Sequence, residues 1–549
     1  MTRYTNIALS LARTRELYPY KRAVVCPAGR DRSGRVRYSQ LNFTQLDILS
    51  DQLAFGLTET GITRGTRTIL MVTPGIDFFI TIFAMFKAGA VPVVVDPGMG
   101  IDRMLQCLKQ GRPGAFIGIE KAHVLRTLKP KYFQSVKHWV TVGKRWFWGG
   151  QTLDQLILDT QESFPKAPTT WDETAAIVFT TGSTGPAKGV VYTHGNFDAQ
   201  IRQIQAHFKI GPDEIDLPTF PLFALFDPAL GMTAVIPDMD PTKPAQVDPT
   251  KIIEAIDNHG VTNMFASPAL LNRVGKYGRE NGIKLPSLQR VVSAGAPVSP
   301  ANMEQFSSML TGDAQIHTPY GATEAVPIIS IESNEILSET RSLSEQGFGM
   351  CIGRPICDTR IEIIEITDDP ISRISDARSV PENQVGEIIV NADLATENYF
   401  NNREADLLAK IEDPNGSFWH RMGDLGWMDS KGRIWFCGRK SHRVITEKET
   451  LFTIPVEALF NNHEKVYRSA LTGVGPRHRQ IPVIFIEPGT KISNKKEFLK
   501  ELHDLARSNP LTADIEHIFI EKSFPVDIRH NSKIFREKLA IIAKKKLKL

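Results

Sequence analysis

Short apolar runs, each bounded by glycine, proline or polar residues, recur through the first half of the chain. TILMV (68–72), VPVVVD (91–96), AAIVFT (175–180), TNMFAS (262–267) and RVVSAG (290–295) are the clearest. None alternates polar with apolar, so each reads as a strand buried on both faces, the habit of parallel sheets. Between them lie stretches with helical spacing. KIIEAIDNHG (251–260) puts its apolar residues on one face and ends on Gly260, a stop signal. Strands alternating with helices predict an α/β layered fold. From about Gly349 the texture changes: RIEIIEIT (360–367) and GEIIVNA (386–392) read as antiparallel strands near a sheet edge, joined by a Pro- and Asp-rich loop. A second change follows Gly438. There SALTGVG (469–475) and PVIFIEP (482–488) read as strands and KKEFLKELHDLARS (495–508) as a helix, so a domain boundary is expected near residues 438–442.

Length and composition narrow the class. A chain of 549 residues, 42% hydrophobic and 23% charged, can bury more than one core. With 65 basic and 61 acidic residues the net charge is +4, too balanced for a nucleic-acid footprint. Five cysteines without CxxC spacing suggest neither a disulfide framework nor a zinc site. The greasiest stretch, residues 78–86, meets Lys87 and is too short to cross a bilayer. No signal peptide is legible, and a reducing cytoplasm is the expected compartment. The C-terminal AKKKLKL reads first as a solvated helix end, with a weak contact to anionic lipid as the alternative.

The strongest local signal is FTTGSTGPAKGVVYTHGN (179–196). Gly182, Gly185 and Gly189 allow close backbone approach, Thr180, Thr181, Ser183 and Thr184 supply hydroxyls, and Lys188 supplies charge. That combination suits phosphate oxygens, although the Walker A spacing is absent. His194, beside Thr193 and Asn196, reads as a packing residue at a helix start.

This loop resembles the signature of the adenylate-forming superfamily, which includes acyl-CoA synthetases, luciferases and nonribosomal adenylation domains. Further resemblances follow in order. AMFKAGAVPVVVDPG (84–98) is similar to an early helix–turn–strand, and SAGAP (293–297), with Gly295, Ala296 and Pro297, to the strip flanking the adenine. YGATE (320–324) resembles the motif in which Tyr320 and Gly321 meet the adenine, Thr323 belongs to the catalytic set and Glu324 holds Mg²⁺. Asp424 in MGDLGWMD takes the ribose hydroxyls by this resemblance, Arg439 in WFCGRK lies near ribose and phosphate, and Lys533 is the lysine of a mobile domain. The resemblance implies ATP and Mg²⁺ as cofactors. It also implies a large N-terminal domain (1–438) of two layered α/β subdomains plus a small β-barrel-like subdomain, a hinge (439–443) and a small mobile α+β C-terminal domain (444–549). The chemistry is consistent: an acid and an α-phosphate, both anionic, need cations to meet.

Departures from the common pattern point to a branch. Ala224 in PLFALFDPALGM (221–232) stands where many members have histidine. Ser441 falls at the usual hinge position, and Lys448 falls where CoA ligases carry a glycine, which would crowd a pantetheine arm. These strings, with VDIRHNSKIFREKL (526–539), resemble the β-lactone synthetases of long-chain olefin biosynthesis. That implies an ATP-dependent ligase acting on a 2-alkyl-3-hydroxy fatty acid, in assembly with other enzymes of the olefin pathway: a reductase of the product of a thiolase-like condensing enzyme, and a β-lactone decarboxylase. His530 and Asp227 are the candidate bases for ring closure, with a helix cap and a loop-positioning role as their plainer readings. Phe220, Phe223, Leu225 and Phe226 read either as lining of an alkyl pocket or as core. The alternatives are a fatty acyl-CoA ligase, a ligase loading a carrier protein, and a non-catalytic nucleotide sensor.

Overall fold

A computed structural model describes residues 4–179, 187–220, 223–526 and 534–549. The apolar runs of the first half become strands of two seven-stranded sheets. One runs in the spatial order Gln151–Thr152, His138–Val142, Ala115–Ile119, Arg67–Met71, Val91–Val95, Thr174–Phe179, Gly189–Thr193. Its pairs are parallel except the last, which is antiparallel. The other runs Gln315–His317, Arg290–Ser293, Asn263–Ala266, Ile215–Pro218, Thr233–Val235, Arg22–Arg30, Val36–Asn42, again parallel but for the final pair. The α/β expectation therefore holds, with parallel strands where the runs do not alternate.

Helix boundaries follow local chemistry. Pro249–His259, Pro268–Glu280 and Pro300–Ser307 each start with proline behind a capping Asp248, Ser267 or Ser299, whose side chain accepts a backbone N–H of the first turn. Gly260 ends the first of them at φ +60°, a left-handed cap.

The segment expected as a barrel-like subdomain is an antiparallel sheet that starts with Tyr320–Ala322, Ala325–Ser330 and Met350–Pro355. It continues through Ile434–Arg439, Phe418–Met428 and Gly386–Asn391 to Arg360–Ile364, with Lys410–Glu412 alongside Phe418–Met428. Of the two strands expected near an edge, only Arg360–Ile364 is terminal. Gly386–Asn391 is flanked on both sides and wholly buried, which explains its apolar GEIIVN. Beyond residue 443 a three-stranded sheet (Val466–Val474, Ile481–Pro488, His517–Ile520) packs against helices Thr453–Asn461, Lys495–Arg507 and Arg536–Leu547. Gly438 leads into this part at φ +123°, and a Cβ there would stand 2.1 Å from the Thr453 hydroxyl oxygen. Among the described residues no helix is long and apolar enough to cross a membrane.

The helices Phe43–Glu59 and Ile76–Ala88 pack on each other at the centre of the largest core. Phe79 and Phe83 of the greasy stretch are buried there, and Lys87, which ends the stretch, is buried with them at 0% exposure. Its ammonium donates to Asp47 Oδ1 at 2.6 Å, to the Asp47 carbonyl at 2.7 Å and to Asp51 Oδ1 at 2.7 Å. Arg15 holds the other Asp47 oxygen at 2.7 Å. Burial pushes the Lys87 amine down, and the two carboxylates oppose that shift. Lys87→Met should therefore cost about 3–5 kcal/mol of stability, because two buried carboxylates lose their shared cation. A shift of the chemical-denaturation midpoint reads this out, and an unchanged midpoint would contradict it.

Candidate active site

Parallel strands send all their carboxyl ends to one rim, and clefts for ligands form outside that rim. Here two parallel sheets contribute to one cavity of about 1430 Å³. The first brings Met71, Val95, Asp96, Ile119 and Phe179 from its strand ends, and the second brings Thr219, Ser267, Ser293 and Thr318. The antiparallel sheet adds Tyr320, Asp424 and Arg439, and the C-terminal part adds Thr453, Glu457, Ile534 and Arg536.

Tyr320 and Asp424 face each other across this rim. The Tyr320 hydroxyl donates to Asp424 Oδ2 at 2.5 Å. Burial pushes that hydroxyl far above the usual tyrosine range, so it stays a donor. Asp424 is 4% exposed, and burial raises its carboxyl while Arg439 opposes the rise. Arg439 sits opposite it in strand register, with Nε 3.1 Å from Oδ1. The approach is out of line for a hydrogen bond, and Oδ1 has no hydrogen-bond partner. A buried acceptor with an unfilled lone pair beside a cavity suits a ligand hydroxyl. Gly321 is demanded by the turn: a Cβ there would lie 2.4 Å from the Ala325 carbonyl oxygen.

Glu324 stands in the turn between Tyr320–Ala322 and Ala325–Ser330 and is fixed from several sides. Tyr399 donates its hydroxyl to Glu324 Oε1 at 2.7 Å, and the Thr396 amide donates to the Glu324 carbonyl at 2.8 Å. The neighbouring Thr323 carbonyl accepts from the buried Tyr192 hydroxyl. Lys188 lines the cavity with its ammonium 4.7 Å above the Tyr399 ring. Lys410 donates to the Thr396 carbonyl, and burial pushes its amine down to about 8. Gly295, Ala296 and Pro297 line the cavity just past the strand Arg290–Ser293, with Gly295 at φ +90°.

The cavity thus collects Lys188, Gly295, Ala296, Pro297, Tyr320, Gly321, Thr323, Glu324, Asp424 and Arg439. Thr180, Thr181, Gly182, Ser183, Thr184, Gly185, His530 and Lys533 lie outside the described residues. Their flanks, Phe179 and Ile534, both reach the cavity. Motif reading missed Tyr399, Tyr192 and Lys410. Tyr192 and Lys410 show only a hydroxyl and an amine beside apolar neighbours, and Tyr399, in ENYFNN, shows no signal at all.

Asp227, the second candidate base, lies away from the residues gathered above. It does not line the cavity. It is buried against Asp216, which accepts from Asn263 Nδ2 at 2.5 Å. Burial raises both carboxyls, and the Asp216 charge raises Asp227 further. Neither is Asp227 a cap: the helix Phe226–Leu230 starts without a side-chain cap. Phe220, Phe223, Leu225 and Phe226, in contrast, do line the cavity, and Phe223 stacks on Phe265 at 4.0 Å. Ala224 is buried and does not reach it. Lys448 does not reach it either. It is exposed in a turn, 2.7 Å from Asp514. His194 caps no site: it begins its helix, buried, and accepts the Ile7 amide.

Comparison with known proteins agrees with this geometry. Residues 11–400 match the model of the AMP-binding enzyme family. The chain is 45% identical over 551 residues to an olefin beta-lactone synthetase of Xanthomonas campestris, covering 99% of this chain and 98% of that protein. Among solved structures, the anthranilate CoA ligase AuaEII in complex with anthranoyl-AMP superposes with a TM-score of 0.80 at 18% identity, covering 100% and 99% of the two chains. The Bacillus subtilis O-succinylbenzoate Coenzyme A synthetase with ATP and magnesium ion gives 0.74 at 20% identity, covering 96% and 98%. The chain belongs to the AMP-binding enzymes, the adenylate-forming superfamily.

Proposed function

We propose that this enzyme uses ATP to convert a 2-alkyl-3-hydroxy long-chain fatty acid into a β-lactone. In the first step a carboxylate oxygen attacks the α-phosphorus, giving the acyl-AMP and releasing pyrophosphate. In the second the acid's own 3-hydroxyl attacks the acyl carbon, loses its proton to a base and expels AMP. Both reacting groups belong to one molecule, so orientation replaces a bimolecular encounter. The single observation that carries this reading is the division of the cavity lining. A polar set holds Asp424 beside Arg439 and Glu324 and Lys188 around Tyr399, and an apolar set clusters Phe220, Phe223 and Phe226 with Leu225. The near-full-length identity to an olefin beta-lactone synthetase supports the same substrate class.

Roles follow from this division. Asp424 Oδ1, a buried acceptor without a hydrogen-bond partner, takes ribose hydroxyls, and Tyr320 with Gly295, Ala296 and Pro297 bounds the base. Residues 180–185 and Lys188 cradle the triphosphate. Glu324 would hold Mg²⁺, which would offset the phosphate charge. No cluster of three metal-ligating side chains exists among the described residues, and Mg²⁺ is commonly held by one carboxylate plus substrate phosphates. Because Asp227 does not line the cavity, His530 is the base we assign to ring closure. Lys533 neutralises the α-phosphate, and the domain after the 439–443 hinge turns to bring it in and withdraw it. A cytoplasmic location beside the reductase and decarboxylase of the olefin pathway fits an unstable lactone product.

Incubation with ATP, Mg²⁺ and a 2-alkyl-3-hydroxy acid, without CoA, should yield one AMP per β-lactone, read by carbonyl infrared or NMR. Strict dependence on CoA, with a thioester as product, would overturn the lactone step. Asp424→Ala should raise the KM for ATP by roughly tenfold to a hundredfold, the worth of hydrogen bonds to a charged acceptor. Steady-state kinetics at varied ATP checks this. Lys533→Ala should cut ATP–pyrophosphate exchange by about a hundredfold or more while nucleotide affinity, measured calorimetrically, stays near that of the wild type. Equal loss of exchange and affinity would contradict its role.

A further inference from the structure

One stretch of the surface has a composition that the active site does not use. Residues 120–152 contain seven basic residues, Lys121, Arg126, Lys129, Lys131, Lys137, Lys144 and Arg145, against Glu120 alone. The whole chain carries only +4, so the rest of it is slightly acidic. Six of the seven are exposed, Arg126 being the exception. Among them stand large apolar side chains in water: Leu128 at 71%, Trp146 at 58% and Phe147 at 80% exposure.

The loop that presents Trp146 and Phe147 is pinned from below. Trp148 is buried, stacked on His123 with ring centres 5.3 Å apart, and donates its indole N–H to Thr141 Oγ1 at 3.0 Å. Glu120 Oε1 accepts the Lys144 amide at 2.9 Å, and the Arg145 guanidinium donates to the Gly150 carbonyl. The two exposed rings are therefore held out by a fixed base. His123 belongs to the helix Glu120–Leu128, and Lys121, Ala122 and Leu125 of that same helix line the cavity. One helix thus carries both the cavity wall and the footing of the exposed rings.

We infer that residues 120–150 form a docking surface for an anionic lipid bilayer. Aromatic rings with a rim of lysine and arginine suit the headgroup boundary, where rings enter the acyl edge and cations meet phosphate. Nucleic acid would use the charge but gives no place to Leu128 and Phe147. Docking sets the apolar wall of the cavity beside the phase in which a long-chain acid dissolves. That last point rests on the substrate class proposed above; the docking itself does not.

The test uses the full chain and sedimentation with phosphatidylcholine vesicles, with and without phosphatidylglycerol, in the absence of ATP and acid. Binding should rise about tenfold or more with phosphatidylglycerol and fall as salt is added. The double variant Trp146→Ser, Phe147→Ser and the double variant Lys129→Glu, Lys144→Glu should each lose about tenfold, because both terms of the interaction are needed. Lys495→Glu, Lys496→Glu, the same charge change on an exposed helix elsewhere, should bind like the wild type. Exchange activity with a detergent-dispersed acid should be unchanged in all three, which also shows that they fold. The inference is overturned if anionic vesicles do not bind at low salt. It is equally overturned if the charge variant alone loses binding, as nucleic-acid-like electrostatics would require, or if Lys544→Glu, Lys545→Glu abolishes binding and the loop variants do not. Absence of exchange activity in the wild type would strike the proposed function and leave the vesicle result standing.

Discussion

Two parallel sheets that end at a shared rim are the constraint on which the rest depends. A parallel strand delivers its polar turn to the same side as its neighbour, so phosphate-binding, adenine-flanking and acyl-lining segments from distant parts of the chain meet without further design. The helices Phe43–Glu59 and Ile76–Ala88 hold the sheets in that relation, and their contact is fixed by Lys87 between Asp47 and Asp51. An ion triad in a core is not the most stabilising filling, but it is directional. Apolar surfaces slide, whereas an ammonium with three acceptors has one seat.

Much of the architecture was legible because burial on both faces writes itself as unalternated apolar runs. VPVVVD and RVVSAG became central strands, and Gly260 ended its helix as its position implied. The site was legible where one short string carries one job, as YGATE does in a tight turn that tolerates no side chain at Gly321. Illegibility had physical causes too. Lys87 looked like the polar end of an apolar stretch because sequence does not show that two acids 36 and 40 residues earlier wait for it. Tyr399 and Lys410 reach Glu324's surroundings from a segment with no pattern of its own. Asp227 looked like a base because a carboxylate inside an apolar string invites that reading; only the fold reveals Asp216 beside it.

The same polar end of the cavity shows how burial sets chemical character. Tyr320 and Asp424 are both shifted toward their neutral forms by desolvation, and for the acid Arg439 and the Tyr320 hydrogen bond oppose this. A site of this kind keeps its acceptor out of water and sets one cation, Arg439, beside it. Two further cations, Lys188 and Lys410, stand on the Glu324 side, where phosphate rather than sugar is expected.

Asp216 and Asp227 have a consequence for how acids of different length could be told apart. The string that supplies Phe220, Phe223, Leu225 and Phe226 carries Asp227, which is buried beside Asp216 out of reach of solvent. Its front is a set of rings, each replaceable by a smaller or larger neighbour. A mooring of that sort lets the depth of the apolar end drift through evolution, one ring at a time, while the frame to which the rings are bolted stays put.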